Sequence, residues 1–398
     1  MAPPSPPPVA SPALPAAAPS WPHSPAPGLP GSLAFRGLWL FSPRADVLII
    51  ALPLALALGV AASSALSPVN ADGAHRLAAW TAQNLLGNAT HVVLTFLLFA
   101  VHRDVLTSAP GQPRQVLAGT LAMLAVGTGL FFSFYAERTA HTYAVAILFN
   151  VFGLHHTLSQ HRGIWSLHGL RESDAGLAPT PARERALQKL YVPLMLSLLL
   201  VRILFVRESA APDATAYLDV GQGSVLPPET LAVLLAVWLG YFMVLFRSVL
   251  GSGTRSGPKV LYLMAMATGT GLVLVAPTWG YVMLPGMHGL EYYVLTARML
   301  EPREGDTSRL PRAFIVPAMV ASMLPLIALG AVHGLLQQGA VFGALASHAS
   351  SVHGHPLMRA LISLSFAVVL AHYFADALIY RLRIPSIRAV MLRRLGFR

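Results

Sequence analysis

The sequence predicts an all-α protein, a polytopic transmembrane helix bundle of about ten spans with both termini in the cytoplasm. Three observations predict it. Of 398 residues, 55% are hydrophobic and only 11% are charged, whereas soluble domains carry about 25% charged residues. The apolar residues fall into repeated runs long enough to cross a bilayer. The 27 Lys and Arg residues gather at alternate ends of those runs, as the positive-inside rule requires.

The same facts exclude other classes. The net charge of +11 follows from arginines clustered on one side of a membrane, so it does not point to a nucleic-acid partner. Cysteine is absent, which rules out disulfides, thiolate metal sites and cysteine nucleophiles. Only Lys189 and Lys259 are lysines. That Arg usage, with the high Ala content, suggests a GC-rich bacterial genome and hence a cell inner membrane.

Residues 1–35 hold twelve prolines in the first thirty positions. Such a segment cannot sustain a helix or bury a core and is expected to be a disordered cytoplasmic tail. It lacks the basic start and short apolar core of a signal peptide, so the first span is expected to act as the insertion signal. Residues 36–385 are expected to form the transmembrane domain and 386–398 a basic cytoplasmic tail.

The apolar runs cover roughly 46–66, 78–101, 115–136, 139–160, 190–206, 229–250, 259–276, 280–298, 313–338 and 359–381. Most can cross about 30 Å of hydrocarbon at about 1.5 Å per residue. The seventh and eighth meet at Pro277-Thr278-Trp279-Gly280, a break that reads as a tight interfacial hairpin. Reading 259–298 as one bent span is the competing count of nine. With ten spans and the N terminus inside, about 22 of the 27 Lys and Arg residues are cytoplasmic. A count of nine puts either the 298–312 cluster or the C-terminal cluster on the wrong side. The 161–189 segment is then the largest cytoplasmic connection. No P-loop, dinucleotide fingerprint, Ser/His/Asp arrangement or internal repeat is visible.

Ionisable groups inside a bilayer are costly and are usually functional. This chain places His91 in the second run, His155 and His156 in the fourth, His288 and Glu291 in the eighth, and His372 and Asp376 in the tenth. All four helices run inward. His91, His155, His288 and His372 precede Arg103, Arg162, Arg298 and Arg381 by 12, 7, 10 and 9 residues, which is roughly 10–18 Å of helix. One layer in the inner half of the membrane therefore holds imidazoles from four helices. Asn84, Asn88, His91 and Thr95 form one polar stripe. His288 with Glu291, and His372 with Asp376, share helix faces, and His156 shares one with Gln160. The adjacent His155 and His156 point about 100° apart, so both ligate only at a two-metal site or with one in support. Bundle cores build metal sites from such pairs. Each histidine taken alone also fits a structural interhelical hydrogen bond. His102, His161 and His168 lie at or beyond the inner boundary and are expected to be solvated or interfacial. A peripheral metal site among His348, His353 and His355 is a minor alternative.

Imidazole and carboxylate ligands suit iron, zinc, copper or manganese, with non-haem iron first. The expected ligands are His91, His155, His156, His288 and His372. Glu291 and Asp376 are the expected catalytic carboxylates, completing coordination, relaying protons or orienting an imidazole.

The stretch Asn150-Val-Phe-Gly-Leu-His-His-Thr-Leu-Ser-Gln160 and the piece His372-Tyr-Phe-Ala-Asp376 resemble, in style, His-rich polytopic membrane oxygenases. The comparison is with the bacterial Brp/Blh-type β-carotene dioxygenases. That resemblance implies an iron site built from intramembrane histidines, and no particular substrate. The chain departs from the HxxxH and HxxHH boxes of membrane desaturases, because His155-His156 has no histidine three residues earlier.

The leading reading is therefore a metal-dependent membrane oxygenase acting on an apolar or lipid substrate that enters from the lipid bilayer. A haem-binding electron-transfer protein and a proton-coupled transporter are the alternatives. Arg162, Arg298 and Arg381 are candidate headgroup contacts, or simple positive-inside anchors.

Overall fold

A computed structural model describes residues 37–66, 91–108, 111–136, 140–206, 226–227, 229–251, 256–303, 310–338 and 356–397. Asn84, Asn88 and the loop histidines His348, His353 and His355 lie outside the described residues, as does the 1–35 segment. The described residues form helices and no strand beyond one isolated bridge between Val206 and Leu226.

In chain order the helices are α1 (Pro43–Leu66), α2 (Leu94–Val101), α3 (Arg103–Leu106), α4 (Gln112–Ala136), α5 (Ala140–Asp174) and α6 (Ala182–Phe205). They continue with α7 (Thr230–Gly251), α8 (Gly257–Val275), α9 (Pro277–Leu300), α10 (Ile315–Gln338), α11 (Pro356–Ile379) and α12 (Pro385–Leu395). A single 3-10 turn, His91–Val93, leads into α2. Five of these helices are long and apolar enough to cross a membrane, through Gln112–Ser133, Ala182–Ile203, Thr230–Gly251, Gly257–Val275 and Arg359–Ile379. Their outer faces carry exposed Leu117, Leu121 and Val126 on α4 and Val233, Leu239 and Met243 on α7. Such continuous apolar surface is the make-up of a membrane protein, since water would penalise it.

Helix ends follow local chemistry. Proline opens α9 and α12 and sits in the first turn of α8, where its missing N–H costs nothing. The α5 helix stops at Gly176, whose φ of 76° is the left-handed conformation that a closing glycine supplies. Leu177 N–H then reaches back to Glu172 O at 3.0 Å.

The bundle is organised around α9, which is buried over most of its surface and packs against α1, α2, α5, α8 and α12. Only Ala276 separates α8 from α9. A Cβ on Gly280 would lie 2.2 Å from Val273 N, and Gly269 faces Leu284. The paired positions run in opposite directions, so the chain folds back here as a hairpin and does not continue as one bent span. Backbones can approach this closely only where one partner lacks a side chain. The α4–α11 pair uses the same device. A Cβ on Gly119 would sit 1.9 Å from Phe374, and one on Gly127 would sit 3.0 Å from Ala367 Cβ.

Two sequence expectations need correction. The 161–189 segment is not mainly a connection: α5 runs unbroken through Asp174, and only residues 175–181 link it to α6. His102, His161 and His168 are not solvated, with 2%, 0% and 3% of their surface exposed. The reason is the same for His161 and His168. The extension of α5 lays a face against α8, and a helix that continues past the hydrocarbon is still shielded if a neighbour covers it.

That extension carries a buried ion cluster. Lys259 Nζ lies 2.9 Å from Glu172 Oε2 and 2.7 Å from Glu184 Oε1, joining α8 to α5 and α6. Trp165 Nε1 donates to Glu184 at 2.9 Å. His168, beyond the apolar part of α5, has its imidazole pushed down to about 3 by burial, with Lys259 adding to the effect. A histidine lowered in the folded state binds its proton less well there than in the unfolded chain. Stability is therefore full above the ordinary value of 6.5 and is lost as pH falls below it, by up to about 1.4 kcal/mol per pH unit. Replacing His168 with leucine is expected to flatten the dependence of the unfolding midpoint on pH between about 6.5 and 5. Equal slopes in the two proteins would show that His168 titrates normally.

Candidate metal centre

Four imidazoles converge. His91 comes from the 3-10 turn before α2, His156 from α5, His288 from α9 and His372 from α11. One ring nitrogen of each lies within 4.8 Å of one from every other. Exposure is 0%, 8%, 1% and 0% in that order, so the group is dry and His156 is its most accessible member. His91 Nε2 and His288 Nε2 are 3.1 Å apart. Ring centroids are separated by 4.6 Å for His91–His288, 4.9 Å for His91–His372, 5.0 Å for His156–His288 and 5.1 Å for His156–His372.

These spacings suit a shared ion. Two nitrogens each about 2.1 Å from a metal stand about 3.0 Å apart at a right angle and about 3.4 Å apart at the tetrahedral angle. The chemistry of the donor set agrees, four neutral imidazoles being ligands for borderline first-row ions. A further sign is His372 Nε2, which is buried and has no hydrogen-bond partner.

The tautomer of His372 follows from its other nitrogen. His372 Nδ1 lies 2.9 Å from Thr95 Oγ1, and Thr95 donates its one hydroxyl proton to Asp376 Oδ1 at 2.7 Å. Thr95 must then accept from His372 Nδ1–H, which leaves Nε2 as a bare lone pair facing the other imidazoles. Asp376 anchors this chain. Its Oδ1 also accepts from Tyr292 at 2.9 Å, and its Oδ2 accepts from Gln160 at 2.6 Å. The same Oδ2 stands 3.5 Å from His372 Nε2 and 3.8 Å from His156 Nε2. Tyr292 and Thr95 also bring their hydroxyl oxygens together on Asp376 Oδ1.

Glu291 belongs to a neighbouring group. Tyr262 donates to Glu291 Oε1 at 2.7 Å, and His161 Nε2 lies 3.6 Å from the same oxygen. Glu291 is 1% exposed.

Of the expected ligands, His155 is not brought in. It is exposed, about 100° around α5 from His156, and that rotation turns it out of the buried face. Asp376 meets the cluster through Thr95, which bridges it to His372, and its Oδ2 stands 3.5 Å from His372 Nε2. Glu291 meets Tyr262 and His161. Sequence reasoning missed Tyr292, Tyr262 and His161 as part of this region. Tyr292 lies four residues beyond His288 and so shares its face, a signal that spacing alone offered. Nothing in the sequence linked Tyr262 or His161 to Glu291, since their meeting depends on how α5, α8 and α9 pack.

No protein-family model, curated protein or solved structure matches this chain.

Proposed function

We propose that this chain is a multi-pass inner-membrane oxidoreductase whose intramembrane centre holds non-haem iron and acts on a lipid-soluble substrate. The observation that carries the reading is the meeting of four buried imidazoles from four separate elements, with one tautomer dictated by a Thr95–Asp376 support. A single buried histidine is readily explained as interhelical glue. Four that share one small volume, one of them with an unpartnered ring nitrogen, are not.

Iron at this position supplies one-electron and oxygen chemistry. The residues supply the rest. Asp376 orients His372 through Thr95 and stands beside the imidazoles. Tyr292 and Gln160 fix that carboxylate. The burial of the whole group keeps water out, which strengthens every electrostatic interaction inside. The 8% exposure of His156, flanked by exposed His155 and Phe152 on α5, gives an apolar substrate its approach from the bilayer. Ten spans, with both termini and the Arg-rich loops in the cytoplasm, remain the topology that the charge distribution supports best.

Haem fits less well. Axial imidazoles on one haem stand about 4 Å apart with the macrocycle between them. The 3.1 Å separation of His91 and His288, and four rings packed around one point, leave no slot for a porphyrin.

Metal analysis and a visible spectrum of the purified protein test the reading. Iron is expected to be retained at one equivalent per chain or more, with no Soret band, and to fall sharply in His288→Ala and His372→Ala. A wild-type chain that binds no transition ion when loaded anaerobically with ferrous iron would end the proposal.

A further inference from the structure

We propose a second divalent-cation position beside the four-histidine cluster, held by His161 of α5 and Glu291 of α9. It rests on the reading of that cluster as a metal centre and adds to it a second ion of the first-row transition class.

The case begins with what these side chains lack. Neither ring nitrogen of His161 has a hydrogen-bond partner, and the residue is 0% exposed. Glu291 Oε2 is also buried without a partner. Buried polar atoms are almost always paired, so two such groups facing one another are suited to a shared ligand. They do not satisfy each other. His161 Nε2 and Glu291 Oε1 are 3.6 Å apart, which is beyond hydrogen-bond length.

The gap has the size of an ion. Two ligand atoms each about 2.1 Å from a metal and separated as these are subtend about 118° at it, close to a tetrahedral or trigonal angle. Imidazole with carboxylate is a donor pair that suits zinc, iron, cobalt or manganese. Tyr262 donates to Glu291 Oε1 at 2.7 Å, orienting the carboxylate as the outer partners of metal ligands do. Glu291 keeps an open oxygen, Oε2, that a cation can take.

The position is close to the first centre and distinct from it. Glu291 lies three residues from His288 on one helix face. His161 and His288 have ring centroids 6.4 Å apart, wider than any of the four ring-to-ring spacings given above. The two ions would therefore be neighbours along α9, each with its own ligands. His168 and Tyr262 continue the polar line, their rings 5.4 Å apart, beside a small pocket that Trp39, Asp46, Ile164 and Pro258 also line.

The test is a metal count on the full chain. Purified protein is loaded anaerobically with Co(II) or Fe(II), desalted and analysed for metal. The expected result is two equivalents per chain in wild type, and one in both Glu291→Gln and His161→Gln when these variants elute as wild type does. One equivalent in wild type overturns the second position and leaves the four-histidine reading standing. None in wild type overturns both. Two equivalents in both variants, or loss of both ions from a folded Glu291→Gln, also overturns the separate position. Should neither variant fold, anomalous scattering from the cobalt-loaded wild type decides. A peak between His161 and Glu291 is expected, and its absence sinks the proposal.

Discussion

Replacing Lys259 with methionine is expected to destabilise the protein by about 3–5 kcal/mol, the usual cost of removing one member of a buried ion pair. The ammonium is 1% exposed and lies between Glu172 and Glu184, at 2% and 1% exposure. Burial already raises the Glu172 carboxyl above its ordinary range, with Lys259 acting in the opposite direction. Without the lysine, two carboxylates from α5 and α6 would share a dry space with no cation between them. Most of the loss would come from that uncompensated charge and less from the missing bonds. The triple change Lys259→Met, Glu172→Gln and Glu184→Gln is therefore expected to recover much of the stability. Denaturant or thermal unfolding in detergent reads both. A single variant as stable as wild type would show that the three groups contribute no net holding force.

Thr95→Val is expected to weaken metal binding by about 10- to 100-fold while leaving the helices in place, the usual effect of deleting a group behind a ligand. Valine keeps the shape of threonine and removes the hydroxyl. The change strips His372 Nδ1–H of its acceptor and Asp376 Oδ1 of one of its donors. The imidazole then loses the bond that holds its Nε2 lone pair toward His91 and His156. Competition with a chelator of known affinity gives the shift. An unchanged affinity would mean that His372 is not a ligand, or that packing alone orients it.

Much of the bundle was legible from one-dimensional features. The Pro277–Gly280 break announced the hairpin that Ala276 closes. The matched depth expected for His91, His155, His288 and His372 pointed to a meeting of imidazoles, which His91, His288 and His372 make with His156 in place of His155, and the i,i+4 spacing of His372 and Asp376 announced their contact. The His155–His156 pair was ambiguous for a physical reason. Neighbouring residues on a helix face different directions, and hydropathy does not fix the rotation of α5 to within that angle. His161 and His168 misled because they follow the apolar stretch and flank Arg162, which reads as an interface. The cover they receive from α8 is a property of packing, and no local window contains it.

Lys259 is the clearest case of that limit. Next to a run of small residues at the start of α8, it reads as one more cytoplasmic positive charge, yet its side chain is buried between carboxylates 87 and 75 positions earlier in the chain. Composition and periodicity alone determined that this chain is helical and apolar, because each of those is a sum over neighbours in sequence. Only the tertiary structure decided which imidazoles face one another, which carboxylate supports them and which charges go inside. Those outcomes depend on helix rotation and on close packing at glycines, at Gly119 against Phe374 and Gly127 against Ala367 above all, and such contacts join residues that are far apart along the chain.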